Sequence, residues 1–145
     1  MRKEKDFEFL DHTADLKFIA FGKTSDELFQ NSAKAIFYAM LENQLKNVSS
    51  KVEKRIELKA ENIENLLHDF LSELLFLFET SGLLFNEFTV TILKNSEYVL
   101  KATVSGEKFN PEKHEITTEI KAVTYHDFFV EQTKEGWKAQ VLCDI

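Results

Sequence analysis

The chain closes on Asp144-Ile145, so a side-chain carboxylate stands beside the main-chain carboxylate of the last residue. Near the other end, Asp11-His12-Thr13-Ala14-Asp15 supplies two more acids and an imidazole within five residues. Chain ends are usually loose, but the run Trp137-Lys138-Ala139-Gln140-Val141-Leu142-Cys143 reads as a strand leading up to this one. Neighbouring carboxylates fixed by a strand attract a hard cation, and oxygen-only donors suit Ca2+ or Mg2+ rather than zinc. The competing reading is of solvated strand-end acids that cap turns. His12, His114 and His126, with Asp127 and Asp15, would suit acid–base chemistry. No glycine-rich phosphate loop, nucleophile elbow or lysine-nucleophile motif accompanies them, which argues against independent ligase or nucleotidyltransferase chemistry.

The elements that must position these groups belong to a chain of 145 residues, a common size for one domain, here expected to span residues 1–145. With 43% hydrophobic and 30% charged residues it should fold into an ordered core. Fourteen Phe against one Trp make that core unusually rich in phenyl rings. The net charge of −7 opposes phosphate backbones, so direct nucleic-acid binding is not expected, and a partner with a basic cleft fits better. Cys143 is the only cysteine, which rules out an intrachain disulfide and a cysteine-based zinc site. The most apolar window, Leu66 to Phe85, is broken by His68, Asp69, Glu73 and Glu79, so no membrane span is expected. The first twenty residues carry no apolar signal core, and a soluble, cytoplasmic protein is the expectation.

Asp15 to Phe21 alternates as a strand ending at Gly22, with Leu16, Phe18 and Ala20 on one phase. Thr24-Ser25-Asp26-Glu27 is a capping box for a helix that buries Leu28, Ser32, Ala35, Ile36, Ala39 and Met40. Val52 to Ala60 reads as a strand with one break at Arg55/Ile56. Asn62 caps a second helix carrying Ile63, Leu66, Leu67, Phe70, Leu71, Leu74, Leu75 and Phe78, with Gly82 as its stop. Four strands follow, at about 88–93, 98–104, 116–131 and 137–143. The order β-α-β-α-β-β-β-β predicts an α+β two-layer sandwich, both helices on one face of a mixed sheet.

Side-chain phase then decides who faces whom. Ala139, Val141 and Cys143 share one phase of the last strand, and Gln140, Leu142 and Asp144 the other. In the strand before it, Ile120, Ala122, Thr124, His126 and Phe128 oppose Lys121, Val123, Tyr125, Asp127 and Phe129. If the small apolar rows meet the helices, Asp15, Lys121 and Asp144 share the open face unless a bulge intervenes, with Tyr125 and Phe129 on the phase of Lys121, and His126 turns inward. A lysine there could neutralise the acids or donate to a partner's phosphate.

The chain resembles the archease family along nearly its whole length. The resemblance rests on Asp11-His12-Thr13-Ala14-Asp15 with Glu27-Leu28-Phe29, on Gly106-Glu107-Lys108-Phe109 with Lys113-His114-Glu115, on Lys121-Ala122-Val123-Thr124-Tyr125-His126, and on the final Asp144-Ile145. Lys17 departs from the glycine often found there in the family, and Cys143 from an aromatic or aliphatic residue. The resemblance implies an accessory protein, not an enzyme, that helps an RtcB-type tRNA-splicing ligase by promoting its guanylylation and its multiple turnover. It also implies a divalent metal, calcium first and Mg2+ or Mn2+ as alternatives, at Asp15, Asp144 and Ile145, and a partner-activating role for Lys121. A small metal-dependent phosphoesterase using Asp15, Asp144, His12 and His126, and a general chaperone-like binder using exposed phenyl rings, are the competing functions.

Overall fold

The computed structural model describes residues 5–11 and 14–145. Helix α1 (Ser25–Leu41) starts where its sequence says: the Thr24 hydroxyl accepts from the Glu27 N–H at 3.1 Å. The Glu27 carboxylate reaches back to the Lys23 N–H at 3.1 Å, one residue beyond the usual return bond of a capping box. Asn62 caps α2 (Ile63–Ser81) through the Asn65 N–H at 2.8 Å, and Gly82 ends it at φ 67°, a left-handed value glycine takes without steric cost.

The two helices bury different arcs. In α2 a single stripe is buried: Ile63, Leu66, Leu67, Phe70, Leu71, Leu74 and Leu75. In α1 the buried residues include Leu28, Phe29, Ala33, Phe37 and Leu41, which lie around most of its circumference, while Lys34 is exposed. A helix apolar nearly all round has to be enclosed, and one sheet cannot do that.

Two sheets do. Strands β1 (Phe7–Leu10), β2 (Asp15–Gly22), β3 (Val52–Ala60), β4 (Leu83–Lys94), β5 (Tyr98–Lys108), β6 (Ala122–Thr133) and β7 (Gly136–Asp144) form sheets ordered β1-β2-β7-β6 and β3-β5-β4. Every pairing is antiparallel. Helix α1 packs on β2 and β4, and α2 on β6 and β3, so each helix touches both sheets. One apolar cluster runs from Phe18, Ala139 and Val141 of the first sheet, through the helices, to Leu100 and Val104 of the second. The α+β class expected from the sequence is the class observed. Its strands divide into two antiparallel sheets instead of one mixed sheet, and β1 precedes the first strand that alternation revealed.

Three local features differ from the sequence reading or could not be reached by it. The register of β3 runs unbroken from Val52↔Gly106 to Ala60↔Tyr98, with no break at Arg55/Ile56. Gly106 also lies against β4, where a Cβ would collide with the Leu84 carbonyl oxygen. The free edge of β4 is occupied by side chains of α1: Gln30 accepts from the Val90 N–H at 3.0 Å, and Asp26 from the Ile92 N–H at 2.9 Å. Such capping blocks edge-to-edge pairing with another chain.

Strand β6 begins at Ala122, not near Ile116. Residues 109–121 form a connection pinned from within. The Thr117 N–H donates to the Met40 carbonyl at 2.7 Å, and His114 and Ile120 are buried.

Candidate functional site

Asp15 opens β2, Asp144 closes β7, and the two are register partners. Directly opposed residues of an antiparallel pair project on the same face, with Cβ atoms about 4.5–5.5 Å apart. The pairing thus places both carboxylates side by side at one end of the first sheet. Asp144 is exposed, Asp15 is half-buried, and Ile145 follows at 44% exposure. The alternate phase of the same strands, Phe18, Ala20, Ala139, Val141 and Cys143, is buried as expected. Burial, then the neighbouring Asp144 charge, pushes the Cys143 thiol up to about 12.

No cluster of three or more His, Cys, Asp or Glu side chains suited to a metal forms among the described residues. Two side-chain carboxylates in one row are what these strand ends provide. Oxygen-only donors in that number match the chemistry of a hard dication with water completing its shell. His12 and Thr13 lie outside the described residues.

Lys121 reaches the acidic row by its backbone. Its N–H donates to the Asp144 carbonyl at 2.8 Å, while the next residue, Ala122, is the register partner of Asp144. Simple alternation along β6 therefore does not assign Lys121 to the face of the two acids. Lys121 is exposed and lines a shallow cleft of about 140 Å3 with Ser72, Leu75, Phe76 and Glu79 of α2 and with Ala122 and Val123.

Phase counting along β6 fails ahead of a bulge: Ala122 and Thr124, expected to face the helices, pair with Asp144 and Leu142 on the open side, while Val123, expected there, is buried. Thr124 pairs with Leu142, but the next pair is Phe129 with Gln140, so β6 carries three residues more than β7 over this stretch. An odd excess inverts the alternation. Val123 is buried opposite Cys143, and beyond the bulge Val130 stands opposite Ala139. His126, expected to turn inward, has a side chain 74% exposed and lies 3.5 Å from Asp127. Tyr125 and Phe129, expected together on the open face, are separated. Tyr125 stacks on His68 of α2, ring centroids 3.9 Å apart, and its hydroxyl donates to Asn65 at 3.0 Å; Phe129 stands across from Gln140. The His68 Nε2–H donates to the Val123 carbonyl at 2.9 Å, tying α2 to the strand edge.

Asp127 adopts φ 52° within the bulge and serves the opposite side. Its carbonyl accepts from the Gln140 amide at 2.8 Å, and its carboxylate lies 3.8 Å from the Lys17 ammonium. Only His68, a polar break in the apolar window of α2, and Lys17, two residues past Asp15, hinted at these contacts in the sequence; the bulge that makes them left no pattern.

A second carboxylate centre lies elsewhere. Glu107 is 6% exposed and accepts from the Lys113 ammonium at 2.7 Å, the Ser49 N–H at 2.7 Å and His114 at 3.0 Å, with Lys51 at 3.7 Å. His114 Nδ1 accepts from the Asn110 N–H at 3.0 Å, which leaves Nε2–H to face Glu107. Burial alone would raise this carboxyl, but the bonds from Lys113, Ser49 and His114 and the Lys113 charge outweigh it and bring it down to about 2.

With this geometry established, relatives can be compared. Residues 7–145 match the sequence profile of the Archease protein family (MTH1598/TM1083). The archease of Methanosarcina mazei is 46% identical over 143 residues, covering 97% of each chain, and that of Pyrococcus furiosus is 41% identical over 97% of this chain and 99% of its own. The solution structure of Methanobacterium thermoautotrophicum protein 1598 superposes with a TM-score of 0.86 at 38% identity, covering 97% of this chain and 99% of that one. A crystal structure from Thermotoga maritima described as an archease, possible chaperone, shares the fold with a TM-score of 0.60 at 22% identity, covering 100% of this chain and 98% of its own. The chain belongs to the archease family. Among the described residues no helix is long and apolar enough to cross a membrane.

Proposed function

We propose that this protein is a non-enzymatic, cytoplasmic activator of an RtcB-type tRNA-splicing ligase, promoting its guanylylation and multiple turnover. The observation that carries the reading is the Asp15–Asp144 register pair, with Lys121 bonded to the same Asp144, at one exposed end of a sheet in a member of this family.

In this reading Asp15, Asp144 and the Ile145 carboxylate hold a divalent cation, Ca2+ first, with Mg2+ or Mn2+ as substitutes. Three carboxylates leave a net −1 around a dication, so the bound ion would quench most of the repulsion within the row. The row projects from a strand end, a shape that can enter a basic cleft, and the protein's negative charge steers that approach. Lys121, exposed in the cleft beside α2 and bonded through its N–H to the Asp144 carbonyl, supplies an ammonium for a phosphate of the partner complex. The ligase itself contributes the nucleophile and the nucleotide chemistry.

Among the described residues the large exposed apolar side chains, Phe9, Phe76, Leu93, Tyr125 and Ile145, sit on β1, α2, β4 and β6 and just past β7, which does not favour a general client-binding surface. The test is a multiple-turnover ligation assay with the purified ligase and a 3′-phosphate RNA. Addition of this protein should raise both the guanylylated fraction and the number of turnovers. No effect on either, or ligation by this protein alone, would refute the proposal.

A further inference from the structure

Lys17 lies on the row next to the two acids. In β2 it follows Asp15 by two residues, hence shares its face, at a spacing of about 7 Å along the strand. Its register partner is Leu142, two residues before Asp144. A cation on the face of the acidic row is therefore built into the same strand. Its side chain is only 20% exposed, and its ammonium lies 3.8 Å from Asp127.

Asp127 owes its position to the β6 bulge. The left-handed backbone at φ 52° and the bond from the Gln140 amide to its own carbonyl hold it over this face. The bulge thus delivers one carboxylate to one lysine, beside a pair of carboxylates that the same lysine could otherwise neutralise. We infer that Lys17 is the internal counter-charge of the Asp15–Asp144 row, and that Asp127, by holding it aside, sets how tightly the row binds a divalent cation. The inference rests on the cation reading given above and concerns residues that reading does not use.

A unit charge about 8 Å from a dication in a watery, salt-screened setting changes its affinity by roughly two- to fivefold. Lys17→Met keeps the aliphatic stem, removes the charge and should tighten Ca2+ binding by that factor. Lys17→Arg keeps the charge and should leave it unchanged. Asp127→Asn releases Lys17 towards the row and removes a nearby negative charge, so binding should weaken. In the Asp127→Asn background, the gain from Lys17→Met should exceed the gain in the wild-type background, because the released lysine sits closer to the ions it opposes.

The experiment is calorimetric titration of the full chain with CaCl2 at fixed ionic strength, for wild type, the three single variants and the double variant, with calcium-free thermal melts to establish folding. Tightening in Lys17→Met together with the larger gain in the double variant supports the inference. Equal affinity of wild type and Lys17→Met, or additive effects in the double variant, overturns it while leaving the cation site intact. A wild type that binds no Ca2+ overturns both.

Discussion

Glu107 and Asp144 are both strand carboxylates that meet the segment between β5 and β6, yet the molecule treats them in opposite ways. Glu107 is buried and surrounded by donors from Lys113, His114 and the Ser49 N–H, with Lys51 close by. Asp144 is exposed, and no hydrogen bond or ion pair among the described residues engages its carboxylate; its backbone carbonyl alone is used, by Lys121. A buried carboxylate has to be satisfied internally or it would not stay charged. One at a strand end can leave its oxygens to an outside partner. The two sites show how one functional group, the carboxylate, is engaged by the fold in one place and left exposed in the other.

That contrast breaks first at Glu107. Replacing it with Gln leaves Lys113 and His114 without their anion and should cost about 2–3 kcal/mol, at the low end for a buried pair because Lys113 and Lys51 reach solvent. For a domain of this size the melting temperature should drop by roughly 6–9 °C in a calorimetric scan. An unchanged melting temperature would make the network decorative.

Acid should act through the same residue. The folded carboxyl titrates near 2 and the unfolded one near 4.5, so in that window the unfolded chain binds more protons. The Glu107 contribution is complete above about pH 5 and fades as the pH falls from there towards 2. Urea midpoints measured from pH 6 to 3 should decline in wild type and decline less steeply in Glu107→Gln.

At the other site the order of effects reverses. Asp144→Asn should leave stability within about 0.5 kcal/mol, while calorimetric Ca2+ affinity falls by an order of magnitude or so, as loss of a charged ligand implies. Ligase activation should fall with it. Lys121→Ala should also leave stability within about 0.5 kcal/mol, with Ca2+ binding largely kept and activation sharply reduced. Full activation in that variant would reduce Lys121 to plain surface.

The smallest effect belongs to the buried neighbour of the row. With its thiol pushed up to about 12 and no exposure, Cys143 should not react with a disulfide reagent at pH 8 until the chain unfolds. Reaction at native pH on the timescale of a free thiol would mean that the end of β7 opens readily.

Much of this layout was legible because it follows from local rules. Thr24, Asn62 and Gly82 mark helix ends by their own hydrogen bonding and backbone freedom, and the structure uses each in that way. Asp15 and Asp144 sit at ends of strands whose apolar alternation is strong, so their shared face could be expected. The β6 bulge could not: it depends on how far β7 has slid past it, a non-local quantity, and it takes His126 and Tyr125 out of their expected places while Phe129, beyond it, stands on the open face opposite Gln140. The division into two sheets was hidden for a related reason. Ala33, Phe37 and Leu41 widen the buried arc of α1 beyond one face, yet without partners on the page their burial does not say how many sheets surround them. The role of Glu107 escaped because its donors come from two segments far apart in sequence, 49–51 and 113–114.

The sheet that bears the acidic row joins the two extremes of the chain. Strands β1 and β2 are made first among the described strands, yet the second neighbour of β2 is β7, the last of them to leave the ribosome. Until then β2 has only short β1 beside it, and a two-stranded ribbon alone is marginal in water. The second sheet and both helices are complete well before. Closing the β2–β7 pair therefore bridges almost the whole sequence and is a late, slow contact of high separation. Until β7 has emerged the nascent protein carries no assembled Asp15–Asp144 pair, so it cannot engage through that row. A chain cut short within β7 would lose the central pairing of this sheet along with the row, and would be a folding defect before it was a functional one.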